Sequence, residues 1–260
     1  MDWCWNEPTG TPPLSEDGLQ IWRIDLGGMQ PASREGMHLL ERAARVLSAE
    51  EREIAARMRV GGPSEEFKVS RSCLRRLLGT VLRRDPAEIV FEKGLHGKPF
   101  VRTALGGVAP SFNVAHSHGM ILIGLSVVGE IGVDVEFVDQ TIDLEGVAQT
   151  AFHVDEVARV ERANIFEDRL DLFYRCWARK EALAKADGRG LTLEPTTYIA
   201  GSDERGEQCV TLPDGDDGVR FFVREVDVGS SHRAALATKR NGVPVRTYRF
   251  PGQFWTGFPE

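Results

Sequence analysis

Two short clusters within residues 131–185 carry the side chains most able to do chemistry. In Ile131-Gly132-Val133-Asp134-Val135-Glu136-Phe137 the apolar residues alternate with Gly132, Asp134 and Glu136. That is the period of a β-strand with one greasy face and one acidic face. In residues 173–185, rich in helix formers, Trp177, Glu181 and Lys185 follow one another at i, i+4 and share a helical face, with Lys180 beside Glu181. Two strand carboxylates joined by one from a helix supply hard oxygen ligands without closing a coordination shell, which suits magnesium and the phosphate oxygens it accepts. The plainer alternative is a solvated edge strand and an exposed helix in which Glu181 and Lys185 form an ordinary ion pair.

A second group of candidates is basic. Arg42, Arg45, Arg52, Arg57, Arg59, Lys68, Arg71, Arg75, Arg76, Arg83 and Arg84 crowd one helical region of an otherwise acidic chain. They read either as a solvated helix surface or as a pocket for a polyanionic small molecule, with Arg71, beside the apolar seam, the best candidate. His116-Ser117-His118 admits a zinc pair, but no third nitrogen or sulfur ligand is obvious nearby. The Gly-x-Ser-x-Gly elbow of a serine hydrolase is absent. A histidine making a local hydrogen bond at a strand end is the plain reading. Lys98, taken alone, is an exposed hairpin lysine.

Taken together, Gly132-Val133-Asp134 with Glu136, followed by Trp177, Lys180-Glu181-Ala182 and Lys185, resembles the paired signature of the 4'-phosphopantetheinyl transferases. Gly97-Lys98-Pro99 and Phe112-Asn113-Val114-Ala115-His116-Ser117 resemble two further motifs of the larger, pseudo-dimeric type found beside nonribosomal peptide and polyketide synthetases. Phe67, Arg71, Leu74 and Arg75 match that family's Phe-x-x-x-Arg-x-x-Leu-Arg pattern. The resemblance implies transfer of the 4'-phosphopantetheine arm of coenzyme A to a serine of an apo acyl or peptidyl carrier protein, releasing adenosine 3',5'-bisphosphate. It implies magnesium, or manganese, on Asp134, Glu136 and Glu181, with Glu181 or a water it holds as general base. Lys185, and with it Lys180, would meet phosphate charge, Lys180 also fixing local geometry. Arg71, Lys98 with Pro99, and His116 would hold the nucleotide end and a phosphate of coenzyme A. Ala115 departs from the serine or threonine usual before this histidine. The competing readings are a magnesium-dependent phosphohydrolase and a non-catalytic coenzyme A binder.

The elements that must position these groups follow from the rest of the chain. Its 260 residues allow one large domain or two small ones, and a formal charge of -7 argues against a nucleic-acid binder. Cys4, Cys73, Cys176 and Cys209 are scattered and read as reduced thiols of a cytosolic protein. No signal peptide is evident at the start, and the most apolar stretch, residues 120–128, is far too short to cross a bilayer. A strand is expected over 19–26, ended by Gly27-Gly28. Helices are expected over 37–46, from a Ser48 capping box to Met58, and over 64–82 after the break at Gly61-Gly62-Pro63. Strands at 89–91, 99–101, 111–114 and 120–128 lead to the acidic strand at 131–138. Helices over 144–186, stopped by Asp187-Gly188, and strands at 197–200, 208–212, 219–226 and 233–238 complete the order. Strand, helices, strands occurs twice. The expected fold class is therefore α+β, with two similar halves, residues 1–128 and 129–260, facing one cleft in a monomer.

Overall fold

A computed structural model of the chain describes residues 3–27, 33–58, 62–102, 109–201, 206–215 and 217–250. Gly28, Arg59 and Gly61, used above, lie outside these. The first half opens with β1 (Leu19–Asp25), then α1 (Arg34–Arg45), α2 (Ala49–Arg57) and α3 (Pro63–Leu82). The Ser48 capping box forms in full, its hydroxyl accepting from Glu51 N while the Glu51 carboxylate accepts from Ser48 N. A short hairpin, β2 (Phe91–Lys93) and β3 (Pro99–Val101), precedes β4 (Ser111–Ser117) and β5 (Met120–Ser126).

The second half runs β6 (Ile131–Phe137), α4 (Leu144–Ala151), α5 (Val154–Arg162), α6 (Phe166–Asp187), β7 (Gln208–Leu212), β8 (Val219–Val226), β9 (His232–Thr238). β10 (Val245–Arg249) then returns to the first sheet and pairs in parallel with β1. The sheets have orders β10-β1-β5-β4 and β6-β9-β8-β7. In each half the first strand pairs antiparallel with the last, which pairs antiparallel with the one before it: β1-β5-β4 and β6-β9-β8. The mixed α+β class agrees with the sequence.

Strand alternation divides the core into layers. One face of the first sheet, through Trp22, Phe112 and Ile121, buries the seam Val69, Leu74 and Leu77 of α3. The opposite face joins the second sheet through Leu19, Ile21, Leu122, Ile131, Val133 and Val135. Beyond the second sheet, Ala178, Ala182 and Leu183 of α6 pack with Phe221, Val223 and Ala235. Each fully buried Leu, Ile, Val or Phe stabilises this arrangement by about 1.5–3 kcal/mol.

Two glycines allow the layers to approach. A Cβ on Gly124 would meet Ile131 Cδ1 at 2.7 Å and Val133 Cγ1 at 2.9 Å, so side chains of the facing strand would have to shift. On Gly132 it would fall on the Ala182 carbonyl oxygen of α6. Gly132 thus lets β6 lie directly on α6, which fixes the distance between the two chemical clusters.

Two expectations are corrected, and two details are added. Residues 86–88 form a 3-10 turn, and the strand expected at 89–91 begins at Phe91. The region 144–186 divides into three helices, interrupted at Phe152-His153 and 163–165. Residues 197–200 form no strand, because side chains take their backbone groups: Lys180 Nζ donates to Tyr198 O, and Glu156 accepts from Ala200 N. β10 was not anticipated. Among the described residues no helix is long and apolar enough to cross a membrane.

Candidate active site

The even-numbered residues of β6 face α6, as the approach of Gly132 requires, and this brings Asp134 and Glu136 to Trp177, Glu181 and Lys185. Asp134 is buried, at 2% exposure. Its Oδ1 accepts from Lys185 Nζ at 2.5 Å, while its buried Oδ2 has no hydrogen-bond partner among the described residues. Burial pushes the Asp134 carboxyl up to about 7; Lys185 opposes the shift, and the charges of Glu136 and Glu181 add to it. Glu136 is also raised, chiefly by burial and further by Glu181, against the Trp177 hydrogen bond and Lys185. Trp177 Nε1 donates to Glu136 Oε1 at 3.0 Å, which leaves Glu136 Oε2 for another partner.

Glu181 is half-buried and has no hydrogen-bond or ion-pair partner among the described residues. Three carboxylates therefore share one electrostatic neighbourhood. Among the described residues no three His, Cys, Asp or Glu side chains are already gathered as a metal site, and the counter-charge at Asp134 is the Lys185 ammonium. An orphaned buried oxygen among three mutually repelling carboxylates fits a hard divalent cation.

Lys180 does something else. Its ammonium has three donors, and they go to Glu156 Oε2 at 2.8 Å, Pro195 O at 2.7 Å and Tyr198 O at 2.8 Å. The pair is almost fully buried, Lys180 at 4% and Glu156 at 2% exposure. The Glu156 carboxylate in turn accepts from His153 N and Ala200 N. Of the two roles expected for Lys180, fixing local geometry has this support; a direct catalytic contact with phosphate is withdrawn, because no donor is left for it. Lys180→Met is expected to lower stability by about 3–5 kcal/mol, since it strands the Glu156 charge in the interior. Denaturant melts check this, and a variant as stable as the parent would remove the assignment.

The residues expected to hold coenzyme A all precede β6 in the chain. Arg71, on α3, stacks its guanidinium over Phe67 and Phe91, 5.6 and 5.4 Å from the ring centres. Among the described residues it has no hydrogen-bond or ion-pair partner. Burial lowers its pKa, with Glu51 opposing. An arginine held by aromatic faces with its N–H groups unclaimed is suited to an arriving anion. Arg71→Ala is expected to raise the KM for coenzyme A about tenfold or more while kcat changes little, the loss of one charge-assisted contact made before the chemical step. An unchanged KM would return Arg71 to a purely structural role.

Lys98, in the turn between β2 and β3, donates to Glu130 Oε2 at 2.5 Å and to the Ile131 and Ala186 carbonyls. With Pro99, Phe112, Glu130 and Gly188 it lines a cavity of about 560 Å³. His116 stands at the other end of β4, its Nδ1 3.0 Å from Glu66 Oε2. Five strand steps carry the chain from Ser111, which donates to Glu130, to His116, a span of about 17 Å. Lys98 and His116 are thus held apart along β4. Ala115 lies in the apolar layer between the sheets, where the absence of a hydroxyl leaves no polar group to satisfy.

The sequence did not reveal that Asn113 Oδ1 accepts from Val133 N and Ser117 Oγ from Phe137 N. These two bonds fasten β4 to β6 on either side of Asp134. The signal was present: Asn113 and Ser117 flank Ala115 at the strand period, on the side of β4 that turns toward the apolar layer between the sheets.

The chain is also similar to known proteins. Residues 130–237, which contain β6 and α6, match the model of the 4'-phosphopantetheinyl transferase superfamily. The 4'-phosphopantetheinyl transferase HetI of Nostoc sp. is 32% identical over 200 residues, 77% of this chain and 81% of that protein. A 4'-phosphopantetheinyl transferase of Bacillus subtilis is 27% identical over 213 residues, covering 80% of this chain and 91% of its own. The 4'-phosphopantetheinyl transferase Sfp of Bacillus subtilis strain 168 is 29% identical over 164 residues, 60% of this chain and 70% of that one. With likeness of this extent reaching well beyond the two clusters, the chain belongs to the 4'-phosphopantetheinyl transferase superfamily and is an enzyme of that family.

Proposed function

We propose that this enzyme transfers the 4'-phosphopantetheine arm of coenzyme A to a serine hydroxyl of an apo acyl or peptidyl carrier protein, releasing adenosine 3',5'-bisphosphate. The observation that carries the reading is the buried Asp134 Oδ2, without a partner among the described residues, in the shared field of Glu136 and Glu181. Asp134, Glu136 and Glu181 would hold a divalent ion, magnesium or manganese, which supplies positive charge to the pyrophosphate. Glu181 takes the serine proton, directly or through water. A bond forms between the serine oxygen and the β-phosphorus, and the bond from that phosphorus to the bridging oxygen breaks. Lys185, beside Asp134 and 30% exposed, presents its ammonium to phosphate oxygens.

Arg71, Lys98 with Pro99, and His116 hold the nucleotide end and its phosphates. The span of about 17 Å along β4 between its Lys98 end and His116 suits an extended polyanion better than a compact one. Trp177 orients Glu136, and Lys180 fixes the end of α6 that carries Glu181. The division into halves 1–128 and 129–260 is supported by the shared strand order, with β10 as an addition to the first sheet. A monomer in the cytosol is the state this reading favours.

The test is mass spectrometry of an apo carrier protein incubated with the enzyme, coenzyme A and magnesium. The expected result is a gain of one phosphopantetheine arm on the carrier serine. Nucleotide release without that gain would instead identify a phosphohydrolase, and no change in either molecule a coenzyme A binder.

A further inference from the structure

The contact between His116 and Glu66 has a direction that bears on how coenzyme A is held. Glu66 sits in the first turn of α3, where Gly62 supplies no side-chain cap. Its carboxylate reaches across to the hairpin joining β4 and β5. Oε1 accepts from Gly119 N at 2.6 Å, and Oε2 lies 3.0 Å from His116 Nδ1. His118 at φ 46° and Gly119 at φ 82° turn the chain sharply here, and this turn is what presents the Gly119 N–H to the carboxylate. The Glu66 side chain is 15% exposed and that of His116 44%, so the acid is enclosed and the ring opens to solvent.

An ionised carboxylate can only accept, so this contact places a proton on Nδ1. The free edge of the ring is then Nε2. Once the ring takes a second proton on Nε2, it has one donor for each side: Nδ1–H for Glu66 and Nε2–H for an anion arriving from solvent. A carboxylate so close to an anion site could instead act as a rival that repels phosphate. The geometry favours the first arrangement, because both Glu66 oxygens face protein donors and one is anchored on a backbone N–H.

We propose that Glu66 is a positioning residue for coenzyme A binding: it fixes the ring plane and proton placement of His116, so that Nε2–H faces a phosphate oxygen. This rests on the reading of His116 as a phosphate ligand. The same bond ties α3, which carries Arg71, to β4, which carries His116, and so keeps two anion-binding side chains in register.

The test is a double-mutant cycle read as the dissociation constant for coenzyme A by calorimetry on the full chain with magnesium. Glu66→Gln keeps an oxygen for Gly119 N but presents no charge to Nδ1. It is expected to weaken binding about tenfold, the scale of a charge-assisted hydrogen bond, with KM moving more than kcat. In the His116→Asn background the same change is expected to have no further effect, because Glu66 acts only through the ring. Tighter or unchanged binding in Glu66→Gln would overturn the proposal, as would equal losses with and without His116. If His116→Asn itself binds coenzyme A normally, the phosphate-ligand reading falls and the positioning role with it. A His116→Asn loss without a Glu66→Gln loss sinks only the positioning role. Thermal melts monitor folding; if Glu66→Gln is not folded, the cycle is run with Glu66→Asp, whose shorter reach predicts the same dependence on His116.

Discussion

Asp134→Asn is expected to give a protein that transfers no phosphopantetheine and yet, free of divalent ions at pH 8, melts at a higher temperature than its parent. The buried carboxyl is raised to about 7, first by burial, then by Glu136 and Glu181, with Lys185 recovering only part of the cost. Its folded-state pKa lies above the unfolded value of about 3.9, so between these values the folded protein holds the proton more tightly. Stability from this group is therefore greatest below pH about 4, falls as the pH rises toward 7, and is lost above it. Removing the charge should recover about 2–4 kcal/mol at pH 8 and little at pH 4. Lys185 loses its partner in the variant, but at 30% exposure its ammonium can turn to water. Magnesium should raise the melting temperature of the parent and leave that of the variant unmoved. A metal-free variant less stable than the parent at pH 8 would mean that the Asp134–Lys185 pair is net stabilising and that no strain is held there.

The same site shows what a linear chain can disclose. The alternation in β6 and the i, i+4 spacing in α6 are local properties, and they placed Asp134, Glu136, Trp177, Glu181 and Lys185 on usable faces before any contact was known. Lys180 misled because adjacency in sequence is not adjacency on a helix. One residue is about 100° of rotation, which carries Lys180 away from the carboxylates and into Glu156. Gly132 was legible as part of a motif but not as a spacer, since its reason is the Ala182 carbonyl, 50 positions later. The strand expected at 197–200 failed for a related reason: its β-branched residues suit a sheet, but buried Lys180 and Glu156 claim its backbone groups first. β10 becomes a strand only by pairing with β1, at the other end of the chain. Glu66 could not be joined to His116 from sequence, because the contact depends on where α3 crosses β4.

Glu181→Gln separates two jobs proposed for one side chain. As a metal ligand Glu181 needs charge and lone pairs; as a base it must also accept a proton from the serine, directly or through water. Its freedom from any partner among the described residues leaves it available for both. Glutamine keeps the size and one acceptor oxygen, so metal and coenzyme A binding should weaken moderately. Proton transfer should fail, because an amide does not take up a proton at neutral pH. In single turnover with metal and both substrates saturating, the variant is expected to be slower by about a hundredfold or more, the usual scale for losing a general base. Raising the metal concentration should not restore it. A rate that returns to normal with added metal would show that Glu181 is a ligand only, and the serine proton would then need another acceptor. Lys185 claims one oxygen of Asp134 and Trp177 one of Glu136, so the remaining oxygens of these carboxylates, or a water they hold, are the first candidates to receive it.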